Sequence, residues 1–84
     1  MTYRVEIKRS AEKEMDRLPD KIHKRISERI LALETNPRPP GGKKLQGEEG
    51  YRLRMGDYRV LYTIDDRTKH VFVYSVAHRR EAYR

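Results

Sequence analysis

Three arginines are spaced so that a short turn must bring them together. Gly56-Asp57 reads as a two-residue hairpin turn between alternating segments. With that turn, Met55 faces Tyr58, Arg54 faces Arg59 and Leu53 faces Val60. Side chains alternate between the two faces of a strand. Tyr51, Leu53, Met55, Tyr58, Val60 and Tyr62 therefore share one face, suited to cover by helices. Arg52, Arg54 and Arg59 share the other. Like charges directly opposite each other destabilise a strand pair. A bound phosphate relieves that repulsion, because the guanidinium fork matches phosphate oxygens two at a time. A half-exposed sheet carrying solvated arginines gives the same pattern, so spacing alone leaves both readings open.

Further residues extend the arginine face. If Asp65 to Thr68 forms a four-residue loop, the next strand places Phe72 opposite Leu61 and Tyr74 opposite Arg59. Rings beside arginines suit a nucleic acid, whose bases stack on aromatic and guanidinium planes. The C-terminal segment adds His78, Arg79, Arg80 and Tyr83. His78 has the most suitable ordinary pKa for acid–base work near neutral pH, although a surface histidine in a basic tail reads the same way. Tyrosine, with an ordinary pKa near 10, is a slow base unless a positive neighbour assists it. Lys43 and Lys44 leave a Pro/Gly-rich loop, where they can meet RNA phosphates or simply keep the loop solvated. Arg25 and Arg29 are one helical turn apart and read as an exposed helix face or a further RNA footprint. His23, His70 and His78 lack metal-ligand spacing, and no Asp/Glu pair forms a recognisable magnesium site. No metal or other cofactor is expected.

The elements that must position these residues follow from periodicity. Tyr3, Val5 and Ile7 alternate with charged residues, which predicts a half-buried strand. Ser10 offers an N-cap, and Ala11, Met15 and Leu18 form one helical face. Pro19-Asp20 ends that helix and opens a second, whose apolar stripe is Ile22, Ile26, Ile30 and Leu33. From Asn36-Pro37 to Gly50 the chain reads as a connection. Strands follow at Tyr51 to Met55, Tyr58 to Ile64 and Val71 to Val76, with Ala77 to Arg84 as a basic tail. The expectation is one α+β domain over residues 1–84, ordered β-α-α-β-β-β. It has a mostly antiparallel sheet and a two-helix hairpin on one face.

Composition narrows the function classes. The 84 residues hold 20 Lys+Arg against 13 Asp+Glu, a formal net charge of +7. Residues 1–20 carry five basic and five acidic side chains, so the excess lies in the rest of the chain. That favours a polyanionic partner, or serves only to solvate the surface. A domain this small buries only about 60% of its unfolded surface. The absence of cysteine excludes disulfides and thiol chemistry and suits a reducing compartment. Charges interrupt the first apolar stretch, so a cytoplasmic location is expected.

Several segments carry a resemblance. Lys44-Leu45-Gln46-Gly47, Tyr51-Arg52-Leu53-Arg54, Gly56-Asp57-Tyr58-Arg59-Val60-Leu61-Tyr62 and Ser75-Val76-Ala77-His78-Arg79-Arg80-Glu81-Ala82-Tyr83-Arg84 resemble, in order and spacing, the RelE branch of the RelE/ParE toxin superfamily. The resemblance implies a type II toxin that cleaves messenger RNA in the ribosomal A site. It implies attack by the ribose 2′-hydroxyl on the adjacent phosphate, giving a cyclic phosphate and a 5′-hydroxyl. It also implies a neighbouring antitoxin, expected to be small, acidic and partly disordered. The family's functional positions fall on Arg52, Arg54, Arg59, Arg79 and Tyr83. On this basis Arg59 and Arg79 stabilise the developing phosphorane, Arg52 and Arg54 hold the flanking backbone, and Tyr83 stacks on a base or moves a proton. Lysines stand in the best-known member where this chain has Arg52 and Arg54, and arginine hardly deprotonates. Two alternatives share the fold: a ParE-like toxin that inhibits DNA gyrase without cutting RNA, and a non-catalytic nucleic-acid-binding module.

Overall fold

The computed structural model describes residues 2–47 and 49–78. Strand β1 (Arg4–Ile7) leads into helices α1 (Arg9–Asp16) and α2 (Asp20–Ala32). Four strands follow: β2 (Gly42–Lys44), β3 (Tyr51–Met55), β4 (Tyr58–Asp65) and β5 (His70–His78). They form one five-stranded sheet in the order β1-β5-β4-β3-β2. β1 runs parallel to β5 and the other pairs are antiparallel. No helix among the described residues is long and apolar enough to cross a membrane.

The helical hairpin covers one face. Ala11 and Met15 of α1, with Ile26, Ile30 and Leu33 from α2 and its end, pack on Leu53, Val60, Tyr62, Val71, Val73 and Val76. All eleven are buried, and burying one aliphatic side chain of the larger kind contributes roughly 1.5–3 kcal/mol. Tyr62 sits in this core with its hydroxyl donating to the Pro37 carbonyl at 2.8 Å. That bond ties the connection after α2 to the middle of the sheet. Burial pushes the Tyr62 phenol up to about 12.

The sequence expectation needs four corrections. Helix α1 starts at Arg9 with Lys8 as its N-cap and no side-chain cap, so Ser10 lies inside the first turn. The Lys8 amide donates to the Val73 carbonyl at 2.8 Å, and this sheet bond fixes the helix start instead. The connection between residues 36 and 50 contains a strand, β2, whose Gly-Lys-Lys sequence offers no apolar alternation to signal it. Glycine suits position 42, because a Cβ there would lie a tight 3.1 Å from the Pro39 carbonyl oxygen and 3.2 Å from the Tyr62 hydroxyl. The loop before β5 begins one residue later than expected, since Asp65 still pairs with His70. Strand β5, finally, runs on through Ala77 and His78, which the sequence assigns to the tail.

Candidate nucleic-acid interface

The β3–β4 hairpin has the expected register. Met55 pairs with Tyr58, Arg54 with Arg59, Leu53 with Val60 and Arg52 with Leu61. Gly56 takes a left-handed φ of 59°, as the first central residue of a type II′ turn requires. Leu53, Val60 and Tyr62 face the helices. Alternation then sets Arg52, Arg54 and Arg59 together on the open face. Arg54 is exposed, Arg52 half-buried, and Arg59 only 5% exposed, the one buried charged side chain among the described residues. Arginine cannot escape such crowding by losing its proton.

Strand β2 adds a cation to this face and separates two lysines. Lys43 pairs with Arg52 and so shares the open face, whereas Lys44 pairs with Tyr51 on the helix side. The sequence singles out both lysines without a way to separate them. The separation needs the register of a strand that the sequence does not announce.

The aromatic neighbours differ from expectation. Phe72 pairs with Thr63, not Leu61, and Arg59 pairs with Ala77, not Tyr74. Two local features cause the slip. The Asp65 carboxylate accepts the amides of Arg67 and Thr68 at 3.0 and 3.3 Å, which closes a tight turn and holds its carboxyl below the usual range. Lys69 completes that turn at a φ of 56° without the glycine or asparagine that would betray it. An irregularity between Leu61 and Tyr62 then leaves Tyr74 as the extra residue of a bulge. His78 pairs with Tyr58, and its ring stands edge-on to that ring at 5.3 Å. It therefore lies on the helix side of the sheet, away from the arginines. Arg79, Arg80 and Tyr83 lie outside the described residues.

The opposite end of the open face is a second feature, which sequence reasoning misses. Thr63, Phe72, Asp65 and His70 line a shallow hollow there with Glu49 and Arg67. Around this end of the sheet charges are matched. His70 Nε2 lies 3.4 Å from Glu6, and Arg38 donates to both oxygens of Asp66 at 3.2 and 2.8 Å. Tyr3 donates to the same carboxylate at 2.7 Å. Arg38 also donates to the Tyr51 hydroxyl at 3.1 Å and lies over that ring. The Arg38 and Tyr3 bonds hold Asp66 down to about 2, and the Asp66 bond raises Arg38 further above its already high value.

Known proteins are similar to this chain in sequence and fold. Residues 5–83 match the ParE toxin family of type II toxin–antitoxin systems, parDE. The toxin RelE of Mycobacterium tuberculosis is 37% identical over 84 residues, covering 98% of this chain and 87% of its own. The toxin–antitoxin complex RelBE2 of M. tuberculosis contains a chain that superposes with a TM-score of 0.83 at 32% identity, covering 94% of this chain and 100% of that one. The RelE–RelB complex of Pyrococcus horikoshii gives a TM-score of 0.81, also at 32% identity, covering 94% and 97%. Sequence and fold agree, and the chain belongs to the RelE branch of the RelE/ParE toxins of type II toxin–antitoxin systems.

Proposed function

We propose that this toxin is an endoribonuclease that cuts messenger RNA in the ribosomal A site. One observation carries the reading: Arg54 stands opposite Arg59 in register, with Arg52 and Lys43 beside them on the face opposite α1 and α2. A phosphodiester backbone is the ligand that turns this crowding into binding energy. In the reaction the 2′-oxygen bonds to the adjacent phosphorus and the bond to the 5′-oxygen breaks. The 2′-hydroxyl proton goes to a base, and the leaving 5′-oxygen takes up a proton. Arg59 stabilises the charge on the phosphorane, while Arg52, Arg54 and Lys43 hold the flanking phosphates. Arg79 shares the stabilising role and Tyr83 serves proton transfer or stacking. His78 is the weaker candidate for proton transfer, because it pairs with Tyr58 on the helix side. Tyr83→Phe and His78→Ala, assayed separately, assign that role.

The partner is an antitoxin. The relatives from M. tuberculosis and P. horikoshii were solved as complexes with theirs. A chain of net charge +7 suits an acidic, partly disordered segment that folds on binding. A site of action in the cytoplasm, where ribosomes and messengers are found, goes with this reading.

The test adds purified protein to ribosomes programmed with messenger and maps the cut sites, as 5′ ends of the downstream fragments, by primer extension, with Arg59→Ala as control. Cleavage that disappears in the control supports the reading. The match to the ParE family favours a second reading, inhibition of DNA gyrase. Intact messenger together with blocked supercoiling would establish that reading instead.

A further inference from the structure

We propose that Glu14 of α1 is a positioning residue for Arg59, acting through the C-terminal end of β5. The inference rests on the ribonuclease reading, in which Arg59 stabilises the phosphorane, and names what holds that arginine in place. Strand β1 covers β5 only from His70 to Val73. Beyond Val73, β5 has β4 on one side and no strand on the other. A strand edge of this kind presents backbone amides that need an acceptor. The Val73 carbonyl still faces β1, where it accepts the Lys8 amide at 2.8 Å. Past the bulge at Tyr74 the alternation shifts by one, and it is Val76 that turns its amide outward. Glu14, half-buried on α1, meets it there. Its Oε1 accepts the Val76 amide at 3.1 Å, across 62 residues of sequence. A carboxylate acceptor makes this one of the stronger kinds of hydrogen bond. Ala11 and Met15, buried on the same helix, fix α1 against the sheet.

The consequence reaches Arg59 through the ladder. In an antiparallel pair, opposed residues alternate between exchanging two backbone bonds and exchanging none. With the Val76 amide directed at α1, Val76 and Val60 form the pair without bonds. Ala77 and Arg59 are then the pair that exchanges them. The β3 side agrees. In a two-residue hairpin the pair next to the turn, Met55 with Tyr58, exchanges bonds, so Arg54 and Arg59 do not. The backbone of Arg59 is therefore bonded to Ala77, one residue from the amide that Glu14 holds. The Arg59 side chain is buried, so it has little room to offset a shift of its own backbone. Arg52, Arg54 and Lys43 stand on β3 and β2, on the other side of β4 from this edge. Loss of the Glu14 bond should thus disturb the stabilising arginine and spare the cations that hold flanking phosphates.

The test separates rate from binding. Glu14→Ala removes the acceptor, Glu14→Asp keeps the charge but falls one methylene short of the amide, and Glu14→Gln keeps an oxygen at the same reach. Each full-length variant is assayed for single-turnover cleavage on programmed ribosomes. Each is also assayed for affinity towards a 2′-deoxy messenger that cannot be cut, and for amide hydrogen exchange by NMR. Glu14→Ala and Glu14→Asp should slow cleavage per folded molecule about tenfold, the scale of a small misplacement of a reacting group. Affinity should stay within about twofold. Glu14→Gln should recover most of the rate. In the alanine and aspartate variants the amides of Ala77 and Arg59 should exchange about tenfold faster, while that of Val60, bonded to β3, keeps its wild-type rate. A merely structural Glu14 would lower the melting temperature and leave the rate per folded molecule alone. Unchanged exchange at Arg59, a rate within twofold of wild type, a glutamine variant as slow as the alanine one, or rate and affinity falling together would each overturn the proposal. Wild-type protein that leaves messenger whole would remove the ribonuclease reading, and the exchange rates would still decide whether Glu14 holds Arg59.

Discussion

The two ends of the sheet are built on opposite electrostatic plans. Around the Gly56-Asp57 turn, cations face cations across paired strands: Arg54 opposite Arg59, with Lys43 opposite Arg52. Around the turn between β4 and β5, cations meet carboxylates: Arg38 on Asp66, His70 beside Glu6. The second arrangement fastens the fold, because it links Tyr3 before β1, the connection after α2 and the turn itself. On the proposed reading the cluster that sets like charges across its own strand pair is the RNA-binding end, and the cluster of closed ion pairs is architecture.

The sharpest way to break this comparison is Arg59. Replacing it with alanine or leucine should cut ribosome-dependent cleavage at least 100-fold, the usual size of a lost electrostatic stabiliser. The melting temperature of Arg59→Leu should stay within a few degrees of wild type, since leucine keeps the apolar bulk that the buried arginine stem supplies. A large fall in melting temperature with cleavage retained would place Arg59 with the architecture.

Tyr62→Phe should do the reverse. It removes the buried hydroxyl from the Pro37 carbonyl, at an expected cost of about 1–3 kcal/mol in urea unfolding. Cleavage per folded molecule should stay within about twofold, because Tyr62 faces the helices. A variant that folds as well as wild type would show that this anchor does not matter to the connection.

The contrast between the ends was only half readable from the chain. The β3–β4 hairpin could be read to the residue because Gly56-Asp57 specifies its own turn and the flanks alternate cleanly. The second hairpin could not, because its turn is closed by a side chain, Asp65, and by a left-handed lysine. Both use residues common in any loop. The bulge at Tyr74 added one further residue of slip, and β2 was hidden because three small or charged residues carry no periodicity. Helices were legible from their stripes. The hollow around Phe72 was not, because it joins residues from β4, β5 and the loop before β3 that only the corrected register brings together.

Asp66 sharpens the architectural half through pH. Its folded pKa of about 2 lies below the ordinary 3.8, so its contribution is complete above pH 4 and is lost as pH falls towards 2. Wild type should melt above Asp66→Asn at pH 5 and converge with it near pH 2, by differential scanning calorimetry. The gap should shrink in high salt, as expected of an exposed pair. Cleavage at neutral pH should hardly change. A gap that persists at pH 2 would mean that the side chain acts through shape and not charge.

The smallest effect separates two neighbouring lysines. Lys43 and Lys44 are both exposed and equally charged, and they differ only in the face that the β2–β3 register assigns them. Each phosphate contact on a single strand contributes about 0.7 to the slope of log affinity against log salt. Lys43→Ala should lower that slope by about this amount and weaken RNA binding about threefold at moderate salt. Lys44→Ala, on the helix side beside Tyr51, should leave the slope unchanged. Equal effects would mean that RNA senses only the net charge of this edge. The pairing of strands would then no longer explain which cations bind, and the arginine face would lose the boundary that β2 gives it.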